Sequence, residues 1–180
     1  MPRVAHYINQ FFGGRGGEEV ASAPPEVRSG AVGPGRVIQQ ILGADGEVCS
    51  TLICGDNYFH EQNEAAVAAV QEWLQATRPD LAVVGPAFAA GRYGAACDQV
   101  CGVAETLGIP SVSGMHPENP GRIVNPRAYV HLVTKLIVQG WSQAKLNDLL
   151  PDRMLVAHPE LAIGDPHALP ALMGAPVVGP

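Results

Sequence analysis

Apolar and polar positions change period along the chain, and each change marks an element. Residues 3–12, RVAHYINQFF, are largely apolar from Val4 to Phe12 and predict a first strand that runs into Gly13, Gly14, Gly16 and Gly17. A second strand is predicted over Glu47–Cys54, ending at Gly55-Asp56. From Glu61 to Thr77 the period is helical. Val67, Val70, Trp73 and Leu74 share one face, and Glu64, Gln71 and Gln75 lie off it. LAVVGPAF, from Leu81, is an unbroken apolar run of the buried parallel-strand type. GRYGAACDQVCGVAETLG predicts a further helix closing at Gly108, and IPSVSGM predicts a last strand. A short helix is expected over Arg36–Leu42, whereas residues 20–35, VASAPPEVRSGAVGPG, are expected to be ordered without regular structure.

Strands alternating with helices predict an α/β fold. Its mainly parallel sheet is flanked by helices in a Rossmann-like or flavodoxin-like three-layer arrangement. Residues 1–140 are expected to form this domain, with its functional loops at the strand carboxyl ends. AYVHLVTKLIVQG reads as a strand or as a buried helix. Residues 141–180 predict a helix over 141–150 and then an extended, proline-rich C-terminal arm, part of the same unit or an oligomer contact.

Composition narrows the function classes. Of 180 residues, 47% are hydrophobic and 16% charged, enough for one domain with a substantial core. The net charge of −6 comes with no basic stripe, which argues against nucleic acid as a partner. No apolar run approaches the roughly 20 residues that span a bilayer, and the N-terminus lacks the pattern of a signal peptide, so a cytoplasmic protein without membrane contact is expected. In that setting Cys49, Cys54, Cys97 and Cys101 are expected to be reduced.

Ligands of open parallel sheets bind beyond the carboxyl ends of the strands. Four segments share that address: GGRGGEE, CGDNYFHE, GPAFAAGRYG and SGMHPENPG. The first matches neither a dinucleotide fingerprint nor a P-loop. Its glycines let backbone N–H groups approach an anion, and Arg15 adds a fork of donors. Glu18 and Glu19 would repel a phosphate, but suit a substrate ammonium or, at Glu19, a general base. The competing reading is a turn whose glycines only permit positive φ. Cys54 is expected at a strand end. Cys97, near a helix start, is expected to have a lowered thiol pKa from the helix dipole, as a nucleophile or redox group would need. Plain core packing competes at both positions, and is favoured for Cys49 and Cys101. No C-x-x-C pair is present, so no metal site is expected. His116 has the context for acid–base work, while surface or structural roles suit His60, His131 and His158. Arg92 could clamp a substrate carboxylate or cap a helix, and Asp56 could meet a substrate amine or serve as an N-cap.

Taken in order, HYINQFFGGRGGEE, PPEVRSGAVGPG, ICGDNYFHE, PDLAVVGPAFAAGRYGAAC and GIPSVSGMHPENPG resemble successive blocks of one family, the selenoprotein B subunit of glycine, sarcosine, betaine and D-proline reductases. The resemblance covers roughly residues 4–122. It implies reductive cleavage of a C–N bond in a small amino acid or betaine: a selenol attacks the α-carbon, the amine leaves, and a thiol system supplies electrons. Read from the loop residues themselves, Cys54, Cys97, Glu19 and His116 are the candidate catalytic set, and the family's blocks match at Gly13–Glu19, Cys54–Asp56, Gly91–Cys97 and Gly114–Asn119. Gly14, Arg15, Gly16, Gly17, Glu18, Asp56, Asn57, Arg92, Tyr93, Glu118 and Asn119 are the candidate substrate-binding set. No cofactor is evident. The family's selenocysteine motif lies in a second half without counterpart here. Four alternatives follow: Cys54 or Cys97 replaces the selenol, a selenocysteine-bearing or thiol partner supplies the nucleophile, the reaction has changed, or the chain is a non-catalytic binding or scaffold subunit. The expected partners are a small amino-acid-like or amine-bearing acid and further subunits in a homo- or hetero-oligomer.

Overall fold

The computed structural model describes residues 1–88, 90–115 and 119–121. The helix expected over 141–150, the proline-rich arm and the segment AYVHLVTKLIVQG lie outside the described residues. Five strands form one sheet: β1 (Arg3–Asn9), β2 (Glu26–Ser29), β3 (Glu47–Cys54), β4 (Leu81–Val84) and β5 (Ser111–Ser113). Their order is β2-β3-β1-β4-β5. The pairings of β1 with β3, β1 with β4 and β4 with β5 are parallel, and β2 runs antiparallel to β3 at the edge. The α/β expectation holds, with one strand more than the pattern predicts. Residues 26–29 escape notice because they are an edge strand whose Val27 faces solvent, so no apolar alternation marks them.

Helices α1 (Gly35–Leu42), α2 (Asp56–Glu61), α3 (Asn63–Thr77) and α4 (Gly91–Thr106) fill the crossovers. Successive side chains of a strand point to opposite faces. On β1, Tyr7 packs edge-on against Phe59 of α2, with ring centroids 5.9 Å apart, and lies 6.3 Å from Tyr93 of α4. His6 points the other way, toward α1, where a Cβ on Gly35 would sit 2.7 Å from its Nδ1. Helices therefore cover both faces, giving three layers. The face of α3 forms much as its pattern predicts: Val70, Trp73 and Leu74 are buried and Val67 partly so, with Ala66 added. Trp73 Nε1 donates to Ser50 Oγ at 2.9 Å, which pairs the two polar atoms inside that layer. The predicted stop at Gly108 also holds, since this residue adopts φ +71° directly after the Leu107 cap.

The parallel strands run β3-β1-β4-β5, with the chain winding outward from β1 in both directions. That is the doubly wound order, whose switch point lies between β1 and β4 at their carboxyl ends. Tyr7, Ile8 and Val84 are fully buried there.

His6 is the one fully buried titratable group on the α1 face of β1. Its Nε2–H donates to the Gly85 carbonyl at 2.9 Å, and its Nδ1 has no partner among the described residues. A second ring proton would be buried unpaired, and burial accordingly lowers the His6 pKa from 6.5 to about 4. The unfolded chain thus binds more protons between these values. Stability is complete above the unfolded pKa and falls as pH drops toward 4, by about 3 kcal/mol in all at ~1.4 kcal/mol per unit. Urea titrations from pH 7 to pH 4 should show this decline in the natural chain and a flatter profile in His6→Gln. Parallel profiles would refute it.

Candidate functional site

Loops after β1, β3 and β4 meet at the switch point, and the residue they converge on is Asp56. It is the first residue of α2, with Gly55 as N-cap; the Asp56 side chain caps nothing, contrary to one of its two sequence readings. Neighbouring segments satisfy the first turn of α2 instead. Gln10 Oε1 accepts the Asp56 N–H at 3.0 Å, and the Ala21 carbonyl accepts the N–H groups of Asn57 (2.9 Å) and Tyr58 (3.1 Å). A helix N-terminus with these donors already taken does not cradle a phosphate. Gly55 is required here, because a Cβ would lie 2.1 Å from the Ala21 carbonyl oxygen.

The Asp56 carboxylate is buried beside the end of β1. Asn9 Nδ2 donates to its Oδ2 at 2.9 Å, and Asn9 Oδ1 accepts the Phe12 N–H at 3.1 Å. Oδ1 of Asp56 has no partner among the described residues, and neither do the buried hydroxyls of Tyr7 and Tyr93. Burial raises the Asp56 pKa, against the lowering effects of the Asn9 hydrogen bond and of Arg92. Both phenols are held well above their ordinary pKa, first by burial and then by surrounding acidic groups that include Asp56. The Asn9 backbone offsets part of this at Tyr93 without making a well-formed hydrogen bond. One carboxylate oxygen and two phenol hydroxyls thus stand without hydrogen-bond partners among the described residues.

A single guanidinium ties the three loops above this spot. Arg92, in the first turn of α4, donates from Nη2 to both carboxylate oxygens of Glu18 at 3.1 Å and from Nη1 to Asn57 Oδ1. Glu18 opens a 3-10 turn, Glu18–Val20, directly after the glycine loop. Gly14 (φ +69°) and Gly16 (φ +138°) give that loop its path. Glu19 is folded onto its own loop, its Oε1 accepting the Gly17 N–H at 2.9 Å, and that bond lowers its pKa, which weakens it as a base. Arg15 turns toward β2, donating to the Pro24 carbonyl at 3.0 Å and pairing with Glu26 at 3.4 Å. The two arginines read from sequence as anion binders therefore separate: Arg92 of α4 faces the site and Arg15 of the glycine loop braces the sheet edge.

Tyr93 lies beneath Phe12, ring centroids 6.1 Å apart, and Phe12 lies 5.8 Å from Phe88. Phe11 and Phe88 are exposed, 63% and 58%, and form an aromatic lip. Asn119 is buried and holds the start of α4. Its Nδ2 donates to Phe88 O (2.9 Å) and Ala90 O (3.2 Å), and its Oδ1 accepts the Gly121 N–H. Cys54 and Cys97 are fully buried. Burial pushes Cys54 up to about 12, with Asp56 adding to it, and holds Cys97 well above its ordinary value. The lowered pKa expected at Cys97 does not occur, because burial outweighs the helix dipole. Cys101 is packed in the core as expected, whereas Cys49 is only half-buried. His116 and Glu118 lie outside the described residues. Tyr7, Asn9 and Gln10 are site residues that sequence reading missed. Their signal was the polar pair Asn9-Gln10 at the end of an otherwise apolar strand. A depression of about 570 Å³ lined by Met1, Pro2, Pro79, Asp80 and Gly108–Pro110 lies at the opposite, amino end of the strands, and holds no comparable chemistry.

The sequence is similar to proteins of one family. The family model for glycine/sarcosine/betaine reductase selenoprotein B matches residues 1–150. The sarcosine reductase complex component B subunit beta of Peptoclostridium acidaminophilum is 53% identical over 120 residues, 66% of this chain and 28% of that protein. The glycine reductase complex component B subunit gamma of Symbiobacterium thermophilum is 55% identical over 120 residues, with the same coverage. The betaine reductase complex component B subunit beta of Peptoclostridium acidaminophilum is 43% identical over 123 residues, 67% of this chain and 28% of that protein. The chain thus spans little more than a quarter of the length of these relatives. No solved structure matches it. None of the described helices is long and apolar enough to cross a membrane. By the extent of the family match and the identity of these relatives, the chain belongs to the glycine/sarcosine/betaine reductase selenoprotein B family.

Proposed function

We propose that the chain is a substrate-binding part of a component-B-type reductase and works with partner subunits in reductive C–N cleavage. The observation that carries this reading is Asp56: a buried carboxylate with one oxygen left open, beside two unpartnered phenols. Buried polar groups without a partner are uncommon, and a cluster of three at the carboxyl ends of the strands favours a ligand there. In this reading Asp56 receives the amine end of a small amino-acid-like or N-methylated acid, Arg92 receives its carboxylate, and Tyr7 and Tyr93 shape the floor. The aromatic lip excludes water from the bound ligand. The nucleophile comes from a thiol or selenol outside the described residues, because Cys54 and Cys97 are buried and protonated at neutral pH.

Calorimetric titration with glycine, sarcosine and betaine tests the reading. At least one should bind, and Asp56→Asn and Arg92→Ala should each weaken it by about tenfold or more, as loss of a charge partner in a desolvated site does. Binding unaffected by both substitutions would discard the assignment.

Stability should move the other way at Asp56. Because its folded pKa lies above the unfolded value of 3.8, stability is full below that pH and lost as pH rises through the folded pKa. Asp56→Asn removes the loss, so its advantage in urea titrations should grow from pH 4 to pH 8. A variant less stable than the natural chain at pH 8 would contradict a strained, unsatisfied carboxylate.

Alkylation addresses the thiols. With iodoacetamide at pH 8, Cys49 should be modified first, and Cys54, Cys97 and Cys101 only after denaturation. Rapid native labelling of Cys54 would return the nucleophile to this chain.

A further inference from the structure

We propose that Glu18 is a built-in stand-in for the ligand carboxylate, occupying Arg92 until a carboxylate-bearing ligand displaces it. The inference rests on the binding role proposed above and adds the way the site is held when empty.

Three observations lead to it. Arg92 Nη2 alone donates to both oxygens of Glu18 at 3.1 Å, a charge-assisted contact through one nitrogen that falls short of the two-nitrogen fork a well-placed carboxylate can make. The pair is exposed, with the Glu18 side chain 76% and the Arg92 side chain 49% accessible. Exposed ion pairs contribute little, so a second carboxylate can compete for the same nitrogen, and released Glu18 returns to water at small cost. Arg92 itself does not wander when Glu18 leaves, because Nη1 is held by Asn57, the residue next to Asp56.

The location fits an exchange rather than a permanent brace. Glu18 directly follows a loop whose Gly14 and Gly16 adopt positive φ, and its own side chain stands largely in water. Beneath it lie the open Asp56 oxygen and the two phenols. Asp56 senses both members of the pair, Arg92 lowering its pKa and Glu18 raising it. An arriving zwitterion would replace the charge of Glu18 at Arg92 and place its own cation at Asp56. Net charge above the buried carboxylate then rises by one, from a neutral Arg92–Glu18 pair to Arg92 with a zwitterion, which favours an ionised Asp56, and the loop after β1 is freed from α4. Ligand binding and release of the glycine loop become one event.

The test compares Glu18→Gln with the natural chain, using betaine and choline, which share a quaternary ammonium and differ in the carboxylate. Removing the internal competitor should tighten betaine by about two- to fivefold, the range an exposed pair can supply, and should leave choline no tighter. Detectable betaine binding in Glu18→Gln alone would be the extreme form of the expected result. Betaine affinity that is unchanged or weaker in the variant overturns the inference while the binding role stands. Equal tightening of betaine and choline overturns it too, since the effect would not depend on the carboxylate. If neither protein binds glycine, sarcosine or betaine, the binding role itself fails and the inference with it.

Discussion

The contact on which the carboxyl edge depends is the pair of amide side chains, Asn9 and Gln10, at the end of the central strand. One holds the Asp56 carboxylate and the other its backbone N–H, so the start of α2 is pinned to β1 through side chains. Asn9 reaches further, accepting the Phe12 N–H and thereby setting the turn into the glycine loop. Two amides thus fix the loops after β1 and β3 relative to each other. Arg92 then brings in the loop after β4, from the first turn of α4. Buried side-chain hydrogen bonds of this kind cost much to break and define geometry narrowly. That is why an unpartnered oxygen on Asp56 can persist there: the surroundings over-determine its position.

The close approach of backbones extends the same constraint. Gly94 in α4 faces Asn119, and a Cβ there would meet the Asn119 amide at once, with its oxygen 1.8 Å away. Gly121 in turn lies against the Gly94 carbonyl. Residues 119–121 therefore lie across the start of α4 and secure it. The residues of GGRGGEE divide their roles accordingly. Its glycines serve shape, its first acid reaches Arg92, its second closes the loop on itself, and its arginine braces β2.

Much of the fold was legible because hydrophobic period reports burial directly. β1, β3, β4, α3 and α4 all carry long apolar or amphipathic stretches, and their limits fall close to the pattern. β2 was not legible, since pairing at a sheet edge is made by backbone atoms and leaves Val27 in water. The split of the second crossover into α2 and α3 was also hidden, because DNYFHE carries no period of its own. At the site, charged residues were visible and their partners were not. Sequence shows that Arg15 and Arg92 both flank glycines, but not that one turns to Glu26 and the other to Glu18. Tyr7 was hidden by its usefulness to the core: in a strand of apolar residues an aromatic ring reads as packing, and its hydroxyl is silent.

The thiols show how magnitude decides between two sound principles. A helix N-terminus favours a thiolate by an amount of about 0.3–1 kcal/mol at ordinary exposure. Removing a charged group from water disfavours it by up to several pKa units, each about 1.4 kcal/mol. Cys97 is four residues from the Arg92–Tyr93 turn, one helical turn deeper than the positions where the dipole acts, and it has no exposed surface. Burial wins by the larger number. Cys54 meets the same burial and has Asp56 two residues on, which raises it further. Beside a half-satisfied carboxylate and two unpartnered phenols, both thiols stay neutral. Displacement at carbon needs an anionic sulfur or selenium, and these two buried cysteines do not provide one while Asp56 stays beside them.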